Sequence, residues 1–199
     1  MKKDHSTFKY KASLRRSLLR EIADPVVLEA FGGWGRLYRE CYSDVARGVV
    51  IEKDPRRSAF LARQRPTWAV YETDCVQALA DGLGSHLAVN LLDLDPWGEP
   101  WPALEAFFGS QREFPQRLGV AVTDGLRQKV RRFGAWDVGS LAAMVERYGN
   151  AAIHDHYLEI CQELLGEIVQ RAGYELTRWT GYYCGAGSMM THYAAVCQR

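Results

Sequence analysis

Val26-Val27-Leu28-Glu29-Ala30-Phe31-Gly32-Gly33-Trp34-Gly35 is the stretch on which the reading of this chain turns. Pro25 precedes a short apolar run, and the run closes in glycines. Helical character follows from Arg36 to about Val45, with Leu37, Tyr38 and Cys41 as its inner face. A strand-length apolar run, a glycine turn and a helix make one unit of an alternating fold. Glycine at such a turn lets the backbone approach a ligand and adopt torsions that a Cβ opposes.

Outward from this stretch the unit repeats. Arg47–Glu52 reads as a strand, followed by Asp54 as a helix cap with Pro55 at the first helical position. Thr67–Tyr71 is the third strand, and a helix runs from Cys75 to about Asp81. His86–Leu94 is almost wholly apolar, as befits a central parallel strand covered on both faces. A helix near Ala103–Phe108 and a strand at Arg117–Thr123 come next. Helical patterns cover Val138–Arg147 and Tyr157–Arg171. Tyr174–Tyr182 and Met190–Cys197 close the chain as a hairpin around Gly185, Gly187 and Ser188. The alternation predicts an α/β, doubly wound sheet, mostly parallel with an antiparallel C-terminal strand. Leu14, Leu18 and Ile22 predict a helix over 12–22. Residues 1–24 are therefore expected as a basic N-terminal extension and 25–199 as the domain.

The 199 residues suffice for one domain with an ordinary core, and 47% hydrophobic with 25% charged residues is a globular composition. No apolar run approaches the roughly 20 residues that span a bilayer, and no secretory leader is evident, so a cytoplasmic protein without membrane contact is expected. Five cysteines with no CxxC spacing predict free thiols rather than a disulfide framework or a zinc cluster. His154-Asp155-His156 lacks a third ligand and is read as a helix start capped by Asp155, so no metal is expected. Net charge is +1, but two clusters are basic. Lys2, Lys3, Lys9, Lys11, Arg15, Arg16 and Arg20 face only Asp4, and Arg127, Lys129, Arg131 and Arg132 form the second. Each is read as a phosphate contact or a solvated face.

Three acids stand at strand ends. Glu29 lies just before the glycine turn, where it can pair with a cationic amino group. Glu52 lies at about the 20-residue distance expected of a carboxylate gripping ribose hydroxyls. Asp74 follows the third strand and can meet an adenine amino group or cap a helix. Together they point to a nucleoside cofactor. A dinucleotide site fits less well, because Gly33 and Gly35 are followed by Tyr38 where a third glycine belongs. No GxxxxGK[ST] motif is present for a nucleotide P-loop. At the end of the fourth strand, Asp93-Leu94-Asp95-Pro96-Trp97-Gly98 offers two acids on one face, a fixed backbone and a flat ring. That set suits a planar base bearing an exocyclic amine, with Asp95 accepting from the amine. Tyr182-Tyr183 and the 185–189 loop are candidates to flank the acceptor, and Trp179 is read as core or sheet surface.

VLEAFGGWG followed by VVIEKD resembles the cofactor half of class I S-adenosylmethionine-dependent methyltransferases. LLDLDPWGEP is similar to the Asp-x-Asp-Pro-aromatic-Gly motif of tRNA (guanine-N2) dimethyltransferases, which modify guanine 26. GVAVTD, MVERYGN and THYAAVC extend the likeness, with Ala121 and Thr191 departing from that family's threonine and aspartate. The resemblance implies a Rossmann-like methyltransferase sheet and S-adenosyl-L-methionine as cofactor. It implies Glu29, Phe31, Gly33, Gly35, Glu52, Lys53, Asp74 and Cys75 as cofactor residues. Asp95, Pro96 and Trp97 are implied as the catalytic motif, with Asp93 beside them. The implied acceptor is a nucleobase in nucleic acid, RNA first. The relatives carry a further C-terminal domain and a longer N-terminal section that help hold tRNA, so DNA, a small molecule or a protein acceptor stays open. A non-catalytic binding protein of the same fold is the remaining alternative. Oligomeric state is not legible.

Overall fold

The computed structural model describes residues 8–134, 136 and 138–199. Seven strands form one sheet in the order β3-β2-β1-β4-β5-β7-β6. They are β1 (Val26–Ala30), β2 (Arg47–Ile51), β3 (Ala69–Tyr71), β4 (Leu91–Leu94), β5 (Arg117–Asp124), β6 (Glu175–Cys184) and β7 (Met190–Gln198). Strands β1 to β5 pair in parallel, and β7 runs antiparallel to both β5 and β6. The predicted mixed doubly wound sheet is therefore the observed one. The chain winds outward from β1 through β2 to β3, then returns to place β4 on the other side of β1. The crevice beyond the carboxyl ends of β1 and β4 is thus the point where strand order reverses, the usual ligand position in such sheets.

Alternation along the strands sorts two cores. On one face Leu28, Ala30, Leu92 and Leu94 pack with α3 (Cys75–Ala80), α4 (Trp101–Gly109) and α8 (Tyr157–Arg171). On the other, Val27 and Leu91 pack with α1 (Phe8–Leu19), a π-helical turn at Tyr38–Tyr42, and α2 (Pro55–Gln64). Glu29 and Asp93 share the phase of Val27 and Leu91, and they are direct register partners. Two carboxylates therefore lie side by side under the α1 and α2 layer.

Several expected boundaries move. The helix predicted over 12–22 begins at Phe8 and ends at Leu19. Its Leu14 and Leu18, with Ile22, belong to the core, so the 1–24 segment is packed into the sheet layer where described. The strand predicted over 86–94 is only Leu91–Leu94. Residues 81–87 stay in turns, and the Asn90 side chain is spent on the backbone of Ala23, Asp24 and Val26. The helices α5 (Leu126–Phe133) and α7 (Asn150–Asp155) have no counterpart among the predicted elements, whereas α6 (Gly139–Tyr148) does. Asp155 ends α7 instead of capping a helix start, and its carboxylate meets His154 Nδ1 at 3.2 Å. Cys75, Cys161 and Cys197 are buried free thiols, while Cys41 and Cys184 are partly buried ones. Among the described residues no helix is long and apolar enough to cross a membrane.

Candidate active site at the β1–β4 crevice

The glycine turn after β1 is dictated by crowding. A Cβ on Gly32 would lie 2.4 Å from Val50 Cγ2 and 2.9 Å from Leu61 Cδ1. Gly33 and Gly35 take left-handed torsions, φ +55° and +66°. Phe31 does so too, at φ 69°, where a side chain is strained. Its backbone meets the Cys75 thiol, which burial pushes up to about 12. Phe31 and Cys75 thus tie the turn after β1 to the start of α3.

Glu52 fastens the same turn from the next strand. Gly33 N–H donates to Glu52 Oε2 at 2.8 Å and Asp54 N–H donates to Oε1 at 2.9 Å. Lys53 between them is exposed. Asp54 caps α2 as expected, accepting from Arg56 and Arg57 N–H. Asp74 caps α3 through Oδ1, which accepts from Val76 and Gln77 N–H. Every acid read from the sequence as a cofactor ligand thus has a protein partner.

Glu29 departs furthest from expectation. Its carboxylate is buried and pairs with Arg65 Nη1 at 2.5 Å, both side chains being at most 1% exposed. Arg65 is held over the rings of Tyr38 and Trp68, 4.3 and 5.2 Å from their centres. It also lies 3.3 Å from where a Cβ on Gly35 would sit. The cation that Glu29 meets is therefore the chain's own, and the turn is buttressed from behind. Burial raises Glu29 against the opposing pull of Arg65.

The fourth strand delivers its motif beside that turn. Ala30 and Leu94 are register partners, so Phe31 and Asp95 leave the sheet as neighbours. Asp93 is fully buried and accepts from Arg15 Nε at 2.8 Å, Arg15 Nη2 at 2.6 Å and Tyr42 Oη at 2.6 Å. Asp95, one step past the strand end, holds Lys11 Nζ at 2.7 Å from each oxygen. Burial would raise Asp95, but Lys11 and Arg15 beside it keep the carboxyl below the usual range. Pro96 is buried, and Trp97 is wholly exposed at 105%. The core reading of Trp97 is thereby excluded, and its ring faces are bare. Gly98 accepts from Gly125 N–H at 2.6 Å, stitching this loop to the one after β5.

Beneath Asp95 lies a polar floor that the sequence did not reveal. Arg15 Nη2 reaches Thr123 Oγ1 at 3.2 Å, and Thr123 meets His192 Nδ1 at 3.2 Å. Burial, with Arg15 and Lys11 nearby, lowers His192 to about 3 and keeps it neutral. Next to it Asp124 is raised to about 7 by burial, while Leu126 N–H and Tyr157 Oη each donate to it at 2.8 Å. Tyr182 stands against His192, with ring centres 5.6 Å apart. Tyr183 instead accepts from Leu158 N–H, and Trp179 stacks on Tyr193.

Several members of the basic clusters have partners within the molecule. Lys11 and Arg15 serve Asp95 and Asp93, and Arg16 binds the Glu40 carbonyl. Arg127 donates to the carbonyls of His154 and Ser188, and Lys129 pairs with Glu99 at 3.5 Å. Lys2 and Lys3 lie outside the described residues, as does the Arg131 side chain. The expectation of phosphate contact fails for Arg15, which is buried on Asp93, and Lys11 is paired with the partly exposed Asp95. Their spacing held the signal: residues four apart on a helix face match acids two apart on a strand face. Two cavities, of about 270 and 260 Å³, lie elsewhere, between α1 and β6–β7 and beside Ser85–Ala88.

No protein-family profile matches the chain. Among curated proteins, a tRNA (guanine(26)-N(2))-dimethyltransferase from Thermoplasma volcanium is 28% identical over 181 residues, covering 83% of this chain and 48% of the relative. The chain thus spans about half the length of the curated relative it matches. The solved structure of Trm1 from Pyrococcus horikoshii with S-adenosyl-L-methionine superposes with a TM-score of 0.65 at 12% identity, over 96% of this chain and 54% of that one. TYW2 from M. jannaschii with AdoMet gives 0.60 at 11% identity, over 100% and 78%. The N-methyltransferase NodS from Bradyrhizobium japonicum with S-adenosyl-l-homocysteine gives 0.61 at 12%, over 96% and 86%. These likenesses establish the fold, and the resemblance drawn from the two sequence motifs stands.

Proposed function

We propose that this chain, which carries the fold of the class I S-adenosylmethionine-dependent methyltransferases, transfers a methyl group to the exocyclic amine of a nucleobase, with guanine N2 in RNA as the leading acceptor. The observation that carries the reading is Asp95-Pro96-Trp97 leaving β4 beside the glycine turn of β1, with both faces of Trp97 bare. The tRNA dimethyltransferase relative supports the choice of acceptor.

The residues present fit a nucleoside cofactor. Gly32 leaves no room for a side chain, and Gly33 and Gly35 keep the turn low enough for close approach. Phe31 opens that turn, Glu52 and Cys75 contact it, and Lys53 and Asp74 stand next to them in the chain. Glu52 serves the ribose, and Asp74 keeps Oδ2 for an adenine amino group while Oδ1 caps α3. Glu29 acts from behind, through Arg65 against Gly35. S-adenosylmethionine supplies a methyl group on a sulfonium, which needs neither a metal nor a protein nucleophile. The chain's own work is positioning. Trp97 stacks on the acceptor base, Pro96 sets the loop, and ionised Asp95 accepts from the amine to aim its lone pair. Asp93 holds the strand end through Arg15 and Tyr42.

Purified protein incubated with labelled S-adenosylmethionine and unmodified RNA or DNA, followed by nucleoside mass spectrometry, tests this. Methylated guanosine is expected, and no methylated nucleoside from either panel overturns it. Asp95→Ala is expected to lose about a hundredfold or more of the transfer, while calorimetry still registers cofactor binding.

One observation favours a second reading, a small-molecule or protein acceptor. Lys11, Arg15, Arg16 and Lys129 of the two basic clusters are each paired with a carboxylate of the chain itself. Transfer that is indifferent to salt, with no nucleic acid product, would select it.

A further inference from the structure

The proposed reaction asks Asp95 to accept from an incoming amine, yet Asp95 already holds one. Lys11 Nζ lies 2.7 Å from both of its oxygens. The pair is at the edge of the crevice, with side chains 17% and 21% exposed. One helical turn further on, Arg15 is anchored differently: it and Asp93 are fully buried. Lifting α1 as a body would strand a buried carboxylate, which is strongly disfavoured. Moving Lys11 alone would not. Its ammonium sits on a flexible four-carbon stem and is partly solvated. The Phe8 ring lies 6.0 Å from Nζ, with the Arg36 guanidinium 3.6 Å from that ring's centre. The side chain therefore has neighbours other than Asp95.

Resting on the methyl-transfer reading, we propose that the Lys11 ammonium is a placeholder for the acceptor amine on Asp95, and that it swings away when the acceptor enters. Both groups are N–H donors seeking the same oxygens. With Nζ equidistant from the two oxygens, the acceptor amine cannot take the bidentate position until Lys11 leaves. The placeholder is chemically inert, because an ammonium carries three donors and no lone pair. It also spares the free site an uncompensated carboxylate, since Glu29 and Asp93 have arginines of their own. Lys11 thus sets acceptor affinity by competition.

Lys11→Met keeps the stem and removes the head. Steady-state methyl transfer to unmodified RNA is expected to show an acceptor KM about two- to fivefold lower, the size of a partly screened ion pair. Lys11→Arg retains a competitor and is expected to hold KM at or above the wild-type value. In wild-type protein, labelling with an amine-reactive ester, read by peptide mass spectrometry, is expected to find Lys11 protected when free and reactive when the RNA is saturating. An unchanged or higher KM in Lys11→Met, or protection that persists with RNA bound, overturns the placeholder while the function stands. If wild-type protein and both variants methylate no nucleoside, the function itself falls and the placeholder with it.

Discussion

Trp97 presents an indole to water on both faces, with the chain held beneath it by buried Pro96 and by the Gly98–Gly125 bond. A large aromatic contributes little to stability when it buries nothing, so its value lies in what stacks on it. Trp97→Ala is expected to leave the melting temperature almost unchanged, because a fully exposed substitution is worth about 0.5 kcal/mol or less. The acceptor KM should rise by roughly ten- to a hundredfold, from about 1–3 kcal/mol of lost stacking per base. Thermal unfolding and steady-state kinetics on the same preparation check both halves. A large loss of stability would mean that Trp97 packs in the folded protein. At the same scale Glu29 and Asp74 show how a residue type underdetermines its role. An acid at a strand end can meet a ligand, a helix start or a neighbouring arginine, and burial decides among them.

At the scale of elements, α1 is the piece that completes the site. Lys11 and Arg15 project from successive turns onto the end of β4, while Leu14 and Leu18 bury the helix against the sheet. Arg15→Met should therefore cost about 3–5 kcal/mol, because it strands the Asp93 carboxylate in the interior with Tyr42 as its remaining donor among the described residues. The double variant Arg15→Met with Asp93→Leu should recover most of that loss, since an apolar pair needs no solvation. Urea denaturation of the three proteins measures it. If the single variant is as stable as the wild type, the buried pair is not holding α1.

The molecule as a whole is close to neutral, and among the described residues Lys11, Arg15, Arg16, Lys129 and Arg147 are each paired with a carboxylate. RNA held by this chain should accordingly make few phosphate contacts. With ~3 contacts, the slope of log affinity against log salt has a magnitude of about 2 for single-stranded RNA. Fluorescence anisotropy from low to moderate salt gives that slope directly. A magnitude of 6 or more would mean that a broad phosphate-binding surface exists after all. Recognition is expected to reside in the crevice and in Trp97, with the sheet as a rigid support.

Repeated strand–turn–helix units, the glycine turn at Gly32–Gly35 and the Asp95-Pro96-Trp97 loop were legible from sequence alone. Each is a local pattern of periodicity or turn chemistry, and parallel winding then brings the ends of β1 and β4 to one edge. The length of β4 was misjudged, because an apolar run does not reveal that Asn90 ties its side chain to the backbone before the ladder begins. Only the tertiary structure decided which charges meet. Arg15 finds Asp93 across 78 residues and Lys11 finds Asp95 across 84, through the docking of α1 on the sheet. Such pairings are permitted by the matched spacings of Lys11 with Arg15 and of Asp93 with Asp95, and the burial of Leu14 and Leu18 on the same helix selects them.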